Sequence, residues 1–229
     1  MLKMYALVAF IVLLGGCGCV STVDSTTKTN SGAPVLVSEN LNSNMPAVRV
    51  EFVLSRLDRD AYPEAYESFL LAMGEWAAAA PLELVVFVPQ AGADTTVASI
   101  MRDRPGIILL DFIDEIRAPE GKNFLGTFSW TARKLQMDMG DFYKPEFRPD
   151  MAKAVALHEL GHMFGLTHFY NAGDLEATAG SFIVPEGAET MMMSPNIPRD
   201  HSEIGISEVE RKQAVKYILS VLPTKLDRF

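Results

Sequence analysis

The chain has 229 residues, 48% of them apolar and 21% charged, the balance of one globular domain with a substantial core. A formal charge of −9 disfavours nucleic-acid binding, which needs a basic face, so no nucleic-acid partner is expected. Cys17 and Cys19 are the only cysteines, so a domain beyond them has neither a disulfide framework nor a thiolate metal site. Any metal centre must then come from His, Asp and Glu.

Lys3 precedes an unbroken apolar run over residues 5–14, too short to cross a bilayer comfortably but suited to a secretory signal. Leu14-Gly15-Gly16-Cys17 follows. This tetrapeptide resembles the bacterial lipobox, in which small residues admit a peptidase and the cysteine thiol takes the lipid. The resemblance implies a lipoprotein signal peptide over residues 1–16 and a lipid anchor on Cys17. It implies export to a bacterial membrane, the outer membrane ahead of the inner, with the domain facing the periplasm or the outside. A plain signal peptide with two incidental cysteines is the alternative, and Cys19 has no assigned task. Residues 17–46 are rich in Ser, Thr and Asn and poor in large apolar side chains, as expected of a flexible tether. The folded domain is expected over residues 47–229.

Residues 48–54 alternate around Arg49 and Glu51 and read as a strand. Pro63 suits the first turn of a helix, and Tyr66, Phe69, Leu70, Met73 and Trp76 then recur at helical spacing up to Pro81. Residues 84–88 and 106–112 are β-rich runs, giving an α/β layout with helices packed on a twisted sheet. Residues 122–132 and 135–139 read as two further strands. The first is either an edge strand to which an extended peptide can add, making Gly126 and Thr127 candidate substrate contacts, or a hairpin arm without a ligand.

Asp150 follows Pro149 and can cap a helix running into HELGHMFGLTH, residues 158–168. His158 and His162 are four apart, one turn above the other on one face, and can share a single Zn²⁺. Glu159 points sideways, toward the open position of such a metal. Gly165 can adopt the left-handed conformation that ends the helix and returns His168 as third ligand. Three of the four histidines fall in this motif. A structural zinc site would need a fourth ligand, and no cysteine is present to supply it.

Followed by the methionine-bearing stretch Thr190-Met191-Met192-Met193-Ser194-Pro195, the motif resembles the signature of the metzincin zinc metallopeptidases, nearest the matrixins. Gly74-Glu75-Trp76 with Pro81-Leu82, and the capping-box pattern Ser207-Glu208-Val209-Glu210 opening a last helix, are similar to matrixin segments. The resemblance implies an α/β (α+β) fold over residues 47–229. Its twisted, mostly parallel sheet has an antiparallel edge strand, is packed by the active-site helix and is followed by a small C-terminal subdomain. It implies that Met193 forms an apolar floor beneath the histidines, with Met191 and Met192 as packing residues. Pro195, Asn196 and Ile197 would form the wall of the specificity pocket.

The chain departs from the family at Phe169, where matrixins have serine, and it lacks a tyrosine ligand after the methionine turn and the histidines of a second zinc. His201 is expected on the surface. Asp111, Asp114, Asp138 and Asp141 could hold structural Ca²⁺, although scattered acids are usually just solvated.

The resemblance implies a monomeric zinc-dependent endopeptidase with a protein or peptide substrate. Metal-activated water would attack the peptide bond, with Glu159 as general base. Two rivals remain: a tethered zinc-binding adhesion lipoprotein without peptidase activity, which would not need Glu159, and a zinc hydrolase acting on a small amide.

Overall fold

A computed structural model describes residues 35–39, 46–89, 96–116, 124–142, 150–168, 192–193 and 204–228. The expected leader, the lipobox-like tetrapeptide and Cys17 lie outside them. The elements follow in the order β1 (Val35–Glu39), β2 (Val48–Leu54), α1 (Arg56–Ala61), α2 (Pro63–Ala79), β3 (Leu82–Phe87), α3 (Val97–Asp103) and β4 (Ile108–Ile113). After these come β5 (Gly126–Ser129), β6 (Lys134–Asp138), α4 (Met139–Phe142), α5 (Asp150–Met163), α6 (Glu208–Ser220) and α7 (Leu222–Leu226).

The strands make one mixed sheet in the order β1-β3-β2-β4-β6-β5. The ladders β2–β3, β2–β4 and β4–β6 are parallel, while β1 on β3 and β5 on β6 are antiparallel at the two edges. The sheet is thus mostly parallel and ends in an antiparallel strand on the side of β5, as expected. Residues 35–39, inside the stretch expected to be a tether, form the opposite edge. Val35-Leu36-Val37 is a short β-favouring run, and pairing with β3 gives its backbone groups partners.

Alternation along the strands divides the apolar side chains between two faces. Val50, Phe52 and Leu54 of β2, Leu84 and Val86 of β3, and Leu110 and Phe112 of β4 join α2 and α5 in the main core. Val53, Val85 and Phe87 point the other way, onto Ile100 of α3 and Ile107. Both faces are covered along β3 and the end of β2, where the sequences read as nearly continuous apolar runs, while Arg49 and Glu51 mark the uncovered start of β2. Ala214 and Ile218 of α6 and Leu222 of α7 belong to the main core, so the C-terminal helices share it.

Pro63 begins α2, and Phe69, Met73 and Trp76 are fully buried, with Tyr66 and Leu70 packed at the margin. Trp76 joins α2 to α5. Its ring meets Phe164 edge-on at a centroid distance of 4.9 Å, and its indole N–H donates to the Leu157 carbonyl at 3.1 Å. Lys153 of α5 pairs with Glu75 of α2 across the same contact. These contacts set the height of α5 over the sheet. Among the described residues no helix is long and apolar enough to cross a membrane.

Trp76→Ala should cost about 3–5 kcal/mol of stability, because it removes a fully buried ring and leaves a cavity. Leu71→Ala, on the exposed side of α2, should stay within about 0.5 kcal/mol. Urea denaturation of both variants checks the pair. Equal midpoints would remove Trp76 from the role given to it.

Candidate metal centre

The centre is built on α5, which begins at Asp150 itself rather than after it as a cap. From Met151 to Leu160 the helix is buried except for half-exposed Lys153, so it is enclosed on nearly every side. His158 is buried, and His162 and His168 are half-buried. The chain leaves the helix at Gly165, whose φ of 84° is the left-handed conformation. A side chain there would also collide with the ring of Tyr217 on α6, so position 165 requires glycine for two reasons. The reversal brings His168 back beside the two helical histidines.

The three imidazoles converge through their Nε2 atoms. His168 Nε2 lies 2.9 Å from His158 Nε2 and 3.1 Å from His162 Nε2. The opposite nitrogens fix the tautomers. His158 Nδ1 faces the Met192 carbonyl at 2.8 Å, and His162 Nδ1 faces the Leu166 carbonyl at 3.0 Å. A carbonyl can only accept, so both Nδ1 atoms carry the proton and both Nε2 atoms present bare lone pairs. One proton on His168 Nε2 could satisfy only one of them. A shared cation would satisfy all three, and three neutral imidazoles are a zinc-type donor set. The residues therefore fit the metal.

The electrostatics agree with that fit. Burial, reinforced by neighbouring His162, pushes His158 down to about 3 and His168 down to about 4. Burial also lowers His162, against the opposing pull of the Leu166 carbonyl. All three rings are thus held in the neutral form that ligates metal. Glu159 is 5% exposed, and burial raises its carboxyl to about 8.

Glu159 lies against the edge strand. A Cβ placed on Gly126 would come within 2.7 Å of Glu159 Cγ and 2.8 Å of its Oε1. Gly126 is therefore the residue that makes room for this carboxyl between α5 and β5. Thr127 follows on β5, opposite Gln136 of β6. Beneath the helix, a Cβ on Gly161 would meet Met193 Sδ at 2.6 Å and Met192 Cε at 2.9 Å. Both methionines are buried and pack against α5 at Gly161. Met192 does more than pack, because its carbonyl orients His158.

Pro195, Asn196, Ile197, Phe169 and His201 lie outside the described residues. The acids considered for calcium have other partners. Asp111 accepts from Gln136 Nε2 at 2.9 Å, Asp114 from the Tyr62 hydroxyl at 2.7 Å, and Asp138 from the Ile116 N–H at 2.7 Å. Among the described residues the histidines are the one cluster able to hold a metal ion. The Asp141 side chain lies outside that description.

No family model matches the chain, and no curated protein matches it. Among solved structures the chain is similar to a zinc-dependent peptidase from Methanocorpusculum labreanum, at 12% identity and a TM-score of 0.41. That likeness covers 73% of this chain and 100% of the other. It is too remote to assign a role to any residue here.

Zinc titration against a chromophoric chelator should reveal one tight site per chain. His168→Ala should fall well below stoichiometric loading, since the remaining two rings close only half a tetrahedral shell. Wild-type-like loading of that variant would exclude His168 from the ligand set.

Proposed function

We propose that the chain is a zinc-dependent endopeptidase of metzincin, matrixin-like type, exported and tethered to a bacterial membrane through lipid on Cys17. One observation carries the peptidase reading. Three imidazole Nε2 atoms converge, and Glu159, next in the chain to the first of these histidines, is buried with its carboxyl against an edge strand. A zinc site used only for stability or adhesion has no need of that carboxyl. A small-amide hydrolase has no need of the strand.

His158, His162 and His168 would hold the ion. Bound zinc would supply Lewis acidity, polarising the scissile carbonyl and lowering the pKa of water to about 7. Glu159 takes the proton from the attacking water and passes it to the leaving amine. Its buried position raises its proton affinity in the absence of metal, and a cation nearby draws it back toward ionisation. The far side of β5 carries no strand among the described residues, so its backbone can pair with an extended peptide. Such a peptide would pass beside Gly126 and Thr127. Pro195, Asn196 and Ile197 are proposed as the wall of the pocket that selects the side chain next to the cleaved bond. The substrate is accordingly a protein or peptide, and the enzyme acts as a monomer.

Wild-type protein should cleave casein or a peptide library only when zinc-loaded. Glu159→Gln should retain zinc and lose cleavage by at least about 100-fold, the scale of general acid–base catalysis. Gly126→Ala should also retain zinc and lose activity, because its methyl group displaces the Glu159 side chain. Undiminished cleavage by Glu159→Gln would sink the mechanism. Retained zinc with no peptide cleavage by the wild type would favour the binding or small-amide readings.

The anchor is supported by Leu14-Gly15-Gly16-Cys17 alone. Metabolic labelling with a radiolabelled fatty acid in a bacterial host should mark the wild-type chain but not Cys17→Ser. Equal labelling of the two would remove the lipoprotein assignment.

A further inference from the structure

We propose that Glu210 is a positioning residue for the metal ligand His158, acting on it through the peptide group that joins Met192 to Met193. The proposal rests on the reading of the histidine cluster as a metal centre.

Glu210 has 0% exposure although it lies in the first turn of α6. Its Oε2 accepts from the Ser207 N–H at 2.8 Å, while Ser207 Oγ accepts from the Glu210 N–H at 3.3 Å, which completes a capping box. A cap explains that oxygen and no more, since a glutamine would close the same box with a smaller desolvation penalty. The other oxygen has a different partner. Oε1 accepts from the Met193 N–H at 2.9 Å. Among the described residues no lysine or arginine pairs with Glu210, and the neighbouring Arg211 and Lys212 pair with Glu208.

The Met193 N–H and the Met192 carbonyl belong to one amide. That carbonyl accepts from His158 Nδ1 at 2.8 Å. The chain of groups therefore runs from carboxylate to amide N–H, through the amide to its carbonyl, then to imidazole N–H and Nε2. A carboxylate drawing on the N–H of an amide raises electron density on its carbonyl oxygen, so successive hydrogen bonds strengthen one another. A stronger acceptor at Nδ1 makes Nε2 a better donor to metal and fixes the ring plane. The connection has the form of a carboxylate–histidine–metal triad with one peptide group inserted.

The two helical ligands differ in their need for it. His162 finds its carbonyl at Leu166, four residues on, within the turn that ends its own helix. The carbonyl on His158 comes from 34 residues away, in a segment outside α5. Glu210 ties that segment to α6, and Tyr217 of α6 packs on Gly165, where the chain turns back toward His168. One helix thereby buttresses both ends of the ligand set.

Glu210→Gln and Ser207→Ala, made in the full chain, distinguish positioning from structural support. Gln keeps one acceptor oxygen and cannot serve both N–H groups. Ser207→Ala removes the cap hydroxyl and leaves the carboxylate in place. Zinc dissociation constants by chelator competition should rise about 10–100-fold for Glu210→Gln and stay unchanged for Ser207→Ala, even if both lower the melting temperature of the metal-free protein. The visible spectrum of the cobalt-substituted protein should shift for Glu210→Gln only. Wild-type affinity and an unshifted cobalt spectrum in Glu210→Gln would overturn the role of Glu210 while leaving the centre intact. Failure of the wild-type chain to bind zinc would overturn the centre, and the proposal with it.

A measurement on the wild type covers the case in which Glu210→Gln does not fold. By linkage, zinc should strengthen the Met193–Glu210 hydrogen bond by the factor through which that bond strengthens zinc binding. Hydrogen exchange at the Met193 amide should then slow about 10–100-fold on zinc addition. Exchange unaffected by zinc would refute the coupling.

Discussion

Bare lone pairs facing one another repel, and the structure confronts two of them with a third imidazole nitrogen at 2.9 and 3.1 Å. The backbone carbonyls behind His158 and His162 leave those rings no other tautomer in the neutral state. Protonation offers little relief, because burial holds His158 and His168 far below the usual range of histidine. A cation at the convergence point is the arrangement in which every one of these constraints is satisfied at once. Much of the surrounding architecture serves to keep three side chains in a place that is unfavourable without it.

That service begins with the burial of α5. A helix buried on nearly every side cannot rest on a sheet alone, because its outer face would remain in water. Here the sheet and α2 cover part of it, and the Met192–Met193 pair and the C-terminal helices cover more. Glycines mark two of the closest approaches along this helix. Gly161 admits the methionine side chains, and Gly165 admits Tyr217 while reversing the chain. The hydrogen bond from Trp76 to the Leu157 carbonyl fixes the helix one residue before the first ligand. Packing and ligation are therefore coupled mechanically through α5.

The parts of this arrangement that were legible in the sequence are those governed by local geometry. Spacings of four and six residues around a glycine specify which histidines can meet, since helical periodicity and one left-handed residue determine the path. Strands β2, β3, β4 and β6, together with α2, announced themselves by periodicity and by proline, and Ser207 with Glu210 announced the start of α6. Strand β1 did not, because five residues in a polar stretch acquire a β conformation only when β3 offers an edge. Helix α3 has a reciprocal Thr96–Ser99 cap but one buried residue, too weak an apolar pattern to read. What Gly126 does for Glu159, and what the Met192 carbonyl does for His158, depends on residues far apart in the chain. Such contacts leave no periodic trace. Met192 read as packing because a backbone carbonyl carries no sequence signature, whatever side chain it bears.

The site is consequently assembled from two directions that are independent of each other. The ligands are held from below and behind, by carbonyls at Leu166 and Met192 and by the α6 residues that support them. The carboxyl of Glu159 is held from above, by the edge strand at Gly126. His158, His162 and Glu159 all stand on α5, yet the supports of the histidines and of the carboxyl share no residue. In the proposed mechanism, metal affinity and proton transfer would therefore be altered separately, the first through the C-terminal helix and the second through β5. Because β5 is also the edge open to an extended chain, anything that pairs with it presses on the strand that positions the carboxyl. On the proposed function, pairing of a peptide with β5 and placement of the Glu159 carboxyl would in that way be linked through a single residue without a side chain.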